Sequence, residues 1–180
     1  MVCLFLADGF EEVEALTVVD VLRRAGVAVR TVSIMKDLTV MGDHGVAVIA
    51  DELFENADFS RCEMIVLPGG SPGTKRLLAH EGLKSAIAEF AAADKRLAAI
   101  CAAPMILARM GLLKGKKATV YDSLREELAE ADYRKEDVVV DGKIITSRGP
   151  GTAMAFAFAL AGILAGEEVA DRVHSDMLLR

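Results

Sequence analysis

Apolar positions fall along the chain in two alternating patterns. Short unbroken runs, such as VCLFLA at 2–7 and MIVL at 64–67, have no polar face and read as strands covered on both sides. Between them lie longer stretches with apolar residues three and four apart. The stretch 11–25 carries Val13, Leu16, Val19 and Leu22 at that spacing, and Gly26 stops it. The same reading predicts further strands at 28–34, 46–50, 97–100 and 118–121. It predicts helices at 74–93, broken near His80-Glu81-Gly82, and at 102–110, stopped by Gly111. A hairpin is predicted at 138–146 with its turn at Asp141-Gly142, and helices at 152–164 and 167–178 end the chain. This alternation predicts an α/β fold, doubly wound, with a mostly parallel sheet, helices on both faces and a single domain over 1–180. Ligands of such sheets bind beyond the carboxyl ends of the strands.

Composition narrows the classes of partner. The net charge of −6 and an aromatic content of 5%, with no Trp, argue against nucleic acid, which needs clustered cations or stacking platforms. The nearly uncharged stretch 149–166 is Ala-rich and flanked by glycines, and reads as a core helix rather than a membrane span. The first residues lack a basic segment and meet acidic residues almost at once, unlike a secretory leader. The three cysteines, Cys3, Cys62 and Cys101, are few, odd in number and widely spaced. No disulfide framework or metal site is expected from them, and the chain is expected in the reducing cytoplasm.

Three strand ends carry unusual chemistry: ADGFEEVE at 7–14, LPGGSPG at 67–73 and AICAAP at 99–104. Cys101 follows a strand, has small neighbours and precedes Pro104. That is the setting of a nucleophile on a sharp strand-to-helix turn, where a helix N-terminus favours thiolate. A small buried core cysteine is the other reading. Gly69 and Gly70 either point N–H groups at an oxyanion or simply make a tight turn. The spacing fits no phosphate loop. Glu11 and Glu12 read as dipole partners at a helix start. Glu14 lies among apolar residues, and if turned inward it would have a raised pKa and be able to carry a proton to and from sulfur. Cys3 lies inside a buried strand and Cys62 in a polar run before one. None of His44, His80 and His174 adjoins Cys101 in sequence.

The segments ADGFEEVE, VDVLRRAG, VLPGGSPG, AAICAAP and TSRGPGTA, in this order over nearly the whole chain, resemble the ThiJ/PfpI superfamily. They resemble most the branch of the parkinsonism-associated deglycase and its bacterial relatives. The resemblance implies a flavodoxin-like sandwich with a nucleophile elbow, usually a homodimer, with the helix at 11–25 and the turn around His44 as candidate contacts. It implies Cys101 as nucleophile and Glu14 as its acid/base partner. Gly69, Gly70 and Ala102 lie where the family has backbone N–H groups beside the sulfur, and Arg148, Gly149 and Pro150 match a segment near the pocket. It implies a cofactor-free glyoxalase or deglycase acting on 2-oxoaldehydes such as methylglyoxal or on glycated groups, with a cysteine that oxidises readily. An oxidative-stress sensor or chaperone-like protein is the alternative, and a cysteine hydrolase a further one. Tyr121 stands where animal members carry a pocket histidine, which argues against a Cys-His dyad. Its hydroxyl either donates to substrate or its ring simply packs.

Overall fold

The computed structural model describes residues 1–179. The first half runs β1 (Val2–Leu6), α1 (Glu12–Arg24), β2 (Val29–Ser33), β3 (Thr39–Met41), β4 (Ala47–Ile49), β5 (Glu52–Leu53), β6 (Met64–Leu67), α2 (Ser71–Ala79) and α3 (Glu81–Ala92). The second half runs β7 (Arg96–Ile100), α4 (Pro104–Arg109), β8 (Lys117–Ala118), β9 (Asp132–Tyr133), β10 (Val138–Asp141), β11 (Ile144–Ser147), α5 (Ala153–Ala165) and α6 (Glu167–Asp176). Seven strands form one sheet in the order β10-β11-β7-β6-β1-β2-β5. Every neighbouring pair in it is parallel except the β10–β11 hairpin.

The unbroken apolar strands have the cause the sequence suggested: both faces of the sheet are covered. Val2, Leu4 and Leu6 of β1 join one core with Val18 and Leu22 of α1, Phe156 and Leu160 of α5, and Val173 of α6. Cys3 and Phe5 point the other way, to Leu77 of α2, Ile87 and Phe90 of α3, and Ile106 of α4. Alternation along the strand sorts successive side chains to opposite faces, so a strand buried twice has no polar position to spare. Glycines end the helices where the chain must turn left-handed, as Gly26 does after α1 and Gly166 after α5. Among the described residues no helix is long and apolar enough to cross a membrane.

The departures from the sequence reading are local. The stretch 74–93 is two helices meeting at His80, and the first begins at Ser71, with Pro72 in its opening turn. The helix expected from 102 starts at Pro104. The strand expected over 118–121 is only Lys117–Ala118. Tyr121 instead leads into a 3-10 turn, Asp122–Leu128. The short strands β3, β5 and β9 went unforeseen, because two or three residues carry no periodicity.

Candidate functional site

The carboxyl ends of β1, β6, β7 and β11 lie side by side, and the loops that leave them build the site. After β7 the chain turns at Cys101, whose φ of 63° lies in the left-handed region. A non-glycine residue is rarely held there. Two hydrogen bonds fix it: the Cys101 N–H donates to the Ser147 carbonyl at the end of β11 (2.9 Å), and the Cys101 carbonyl accepts from the Tyr121 N–H (2.8 Å). The sulfur is therefore presented by the sheet itself, and Cys101 is only partly buried, whereas Cys3 and Cys62 are fully enclosed.

The β1 and β6 loops are stitched to each other beneath it. The Glu11 N–H donates to the Gly69 carbonyl (3.0 Å), and the Gly73 N–H donates to the Gly9 carbonyl (3.0 Å). Glu11 caps α1 by accepting the Glu14 N–H on Oε2 (2.8 Å). One turn into that helix, Glu14 is fully buried, and its Oε2 accepts the Gly69 N–H at 2.7 Å. A Cβ on Gly69 would stand 2.6 Å from both Cys101 Cβ and Glu14 Oε2 and 3.1 Å from the sulfur. Glycine is needed at 69 for this close approach. At Gly70, φ is +87° and a Cβ would overlap the Gly9 carbonyl oxygen.

The resemblance implied that Cys101, Glu14, Gly69, Gly70 and Ala102 lie together, and the structure brings them together. The N–H groups of Gly70 and Ala102 are the backbone donors that favour charge on the Cys101 sulfur. Their effect is outweighed. Burial first, then the charge of Glu14 and its hydrogen bond with the thiol, push Cys101 up to about 12. Burial raises Glu14 to about 7, opposed by the Gly69 N–H and Cys101 and assisted by the charge of Glu11. The expectation that a helix N-terminus lowers the thiol is corrected here. The helix α4 starts three residues further on and is six residues long, while a buried carboxyl touches the sulfur. The two acids act as one pair, since two negative charges cannot share a dry site. The carboxyl ionises before the thiol, so the singly ionised pair is mainly carboxylate beside thiol, and a thiolate forms there when the thiol proton passes to Glu14. The hydrogen bond that raises the thiol and opposes the rise of Glu14 is donated by the Cys101 S–H to the carboxylate, and Glu14 Oε1 is buried with no hydrogen-bond partner among the described residues.

Tyr121, Arg148 and Pro150 fall together in a neighbouring open cavity of about 600 Å³, which they line with Asp122, Asp137 and Thr152 among others. Cys101 is not on its wall. Arg148 donates to both oxygens of Asp122 (2.9 and 3.0 Å) and to Asp137 (3.3 Å), so carboxylates of the protein already engage the guanidinium. Tyr121 is half exposed, and its ring lies against Gly149. Its backbone, not its hydroxyl, is what reaches Cys101.

Sequence reasoning missed Ser147, Asp122 and Asp137, whose roles depend on strand register and loop approach. It also took Glu11 and Glu12 for dipole partners only. Both are buried, and Glu12 accepts the His44 and Val46 N–H groups on Oε1 (2.8 and 3.3 Å) while its Oε2 faces His44 Nδ1 at 3.0 Å. This pairing raises the imidazole pKa.

Comparison with known proteins settles the lineage. A family profile described as the DJ-1/PfpI family matches residues 1–162. The chain belongs to this family. It is 35% identical over 176 residues to Protein dj-1beta of Drosophila melanogaster, covering 97% of this chain and 94% of that one. The crystal structure of Drosophila DJ-1beta superposes with a TM-score of 0.96 at 34% identity, covering 99% of this chain and 97% of that chain. A Toxoplasma gondii DJ-1, described as oxidized, gives a TM-score of 0.93 at 34% identity, with 99% and 97% covered. Protein DJ-1 homolog A of Arabidopsis thaliana is 40% identical over 178 residues. The DJ-1/PfpI chain described here spans 45% of that homolog's length and 37% of the length of Arabidopsis homolog B.

Proposed function

We propose that this protein is a cysteine-dependent, cofactor-free enzyme that converts small 2-oxoaldehydes such as methylglyoxal, free or bound to amino groups, into 2-hydroxy acids. The observation that carries the reading is the Cys101–Glu14 pair: a sulfur on a left-handed elbow against a buried carboxyl raised to about 7, with the Gly70 and Ala102 N–H groups at the sulfur.

The chemistry follows from that pair. With the proton on Glu14, the Cys101 thiolate adds to the aldehyde carbon of the free 2-oxoaldehyde, which an amine-bound one becomes when its carbinolamine expels the amine. The oxyanion that forms lies toward the Gly70 and Ala102 N–H groups and takes the Glu14 proton, giving a hemithioacetal. Glu14, now ionised, removes the proton from that carbon and returns it to the neighbouring one, while the hemithioacetal hydroxyl proton passes to the former ketone oxygen, so the aldehyde carbon is oxidised as the ketone carbon is reduced. The product is a 2-hydroxy thioester. Water cleaves it to the 2-hydroxy acid, restoring the thiol. A carboxyl near pH 7 suits both giving and taking a proton. No second cysteine or histidine is required. Purified protein should convert methylglyoxal to lactate, followed by NMR; Cys101→Ala should abolish turnover and Glu14→Gln should lower it at least about a hundredfold. Turnover by Cys101→Ala at the wild-type rate would overturn the reading.

A second reading, an oxidation sensor, draws on the same sulfur and on the oxidized state described for the Toxoplasma relative. It differs in expecting peroxide to add oxygens at Cys101 with no significant turnover. The three free thiols suit the reducing cytoplasm for either role. We also propose a homodimer through α1 and the β3–β4 hairpin, supported by the exposed apolar side chains of Val13, Leu16, Met41, Val46 and Ile49 on these two elements.

A further inference from the structure

The turn between β3 and β4 lies over the start of α1, and three ligand-type side chains meet there. His44 Nδ1 stands 3.0 Å from Glu12 Oε2 and 3.9 Å from Glu11 Oε1. One ligand atom from each of the three lies within 4.8 Å of the others. Each carboxylate has one oxygen already oriented by the backbone: Glu12 Oε1 by the His44 and Val46 N–H groups, Glu11 Oε2 by the Glu14 N–H. The remaining oxygen of each faces the imidazole. The Glu11 side chain is nine-tenths buried, and its Oε1 meets His44 only across a long ion pair of 3.9 Å, beyond hydrogen-bond distance. Among the described residues, His44 is the only cationic side chain within 4.0 Å of either carboxylate. Gly42 leaves the space, because a Cβ there would overlap the Glu12 carboxylate.

Two buried carboxylates side by side repel, and one imidazole brings at most a single positive charge. A dication would compensate both. Zn–N and Zn–O bonds of about 2.0–2.2 Å set tetrahedral ligand atoms roughly 3.3 Å apart, within the range of the spacings here. Outer hydrogen bonds that fix one oxygen of a carboxylate and leave the other free are the usual support of a metal ligand.

We propose that Glu11, Glu12 and His44 bind a divalent transition-metal cation. Two carboxylate oxygens and one imidazole nitrogen suit zinc and its neighbours rather than magnesium or calcium, which prefer oxygen alone. The cation fastens the β3–β4 hairpin, through His44, to the first turn of α1. The solvent-exposed His44 leaves the outer coordination position to water or to a second copy of the chain.

The test uses the full chain carrying Cys101→Ser, so that the reactive sulfur binds no metal. Zinc chloride is titrated by calorimetry, and melting is followed with and without it. One zinc per chain and a raised Tm are expected. His44→Ala in the same background should weaken binding at least about tenfold and remove the Tm shift. Because His44 is on the surface, this variant folds, and Glu11→Gln should act in the same direction. Magnesium chloride should bind far more weakly. No zinc binding by Cys101→Ser protein, or undiminished binding after His44→Ala, would overturn the proposal. Neither result depends on turnover, so it stands or falls apart from the proposed enzyme activity.

Discussion

Gly69 shows how closely the site is drawn together. Its N–H holds Glu14, and its missing side chain is what lets Glu14 and Cys101 touch the same loop. Gly69→Ala should cost about 1–3 kcal/mol by overpacking, read by urea unfolding, and should remove turnover by parting the pair. Glu14 itself imposes a pH dependence with a definite sign. Its folded pKa is raised from 4.5 to about 7, so the stability it permits is fully present below 4.5 and is lost as pH rises through 7. Wild type should therefore lose, relative to Glu14→Gln, on the order of 3 kcal/mol between those limits. Unfolding curves at pH 4.5 and 8 for both proteins check this. An equal pH dependence in the two would place the carboxyl in an ordinary environment. Cys101 and the two glycines stood out as candidates because they follow apolar strands, and Glu14 because it lies among apolar residues of α1; the resemblance to a known family, rather than the residues alone, gave them their roles. The partners of Arg148 and the Ser147 carbonyl were not legible, because they are met across the sheet rather than along the chain.

The elements that carry these residues are held by ordinary packing. The helix α5 is apolar almost all round because α1, α6 and the sheet enclose it, and α1 in turn sets the position of Glu14. Leu160, fully buried between these layers, should cost about 2–5 kcal/mol when changed to Ala, measured by chemical denaturation. Periodicity identified α1, α5, α6 and the long buried strands, since each repeats its pattern over several residues. It failed at 119–121, where three residues of strand-like composition leave the strand at Ala118 and lead into the 3-10 segment that begins at Asp122. There the Tyr121 N–H bonds the Cys101 carbonyl, and that contact outweighs local propensity. It also placed the start of α4 two residues early, because the left-handed backbone of Cys101 cannot be read from composition.

Across the whole molecule, the doubly wound sheet gathers residues from four separate segments at the carboxyl ends of its inner strands, while leaving one side of α1 and the β3–β4 hairpin uncovered. Ile49 is 75% exposed there, on a strand too short to be a core element. Such apolar exposure is what a self-complementary twofold contact covers. Sedimentation at micromolar concentration should give a dimer, and Ile49→Glu should shift it toward monomer without changing the fold by circular dichroism. A monomeric wild type would remove the dimer from the account.

The central claim is that Cys101 and Glu14 share a proton, so that thiolate at one goes with acid at the other. The most direct measurement is the rate of Cys101 alkylation against pH, read by mass spectrometry, in wild type and in Glu14→Gln. Shared protonation requires labelling of the wild type to rise with a midpoint near 7, where the pair loses its first proton, and Glu14→Gln to lose that step and label with a displaced midpoint. The same midpoint in both proteins would contradict the claim, leaving Cys101 a thiol that titrates alone.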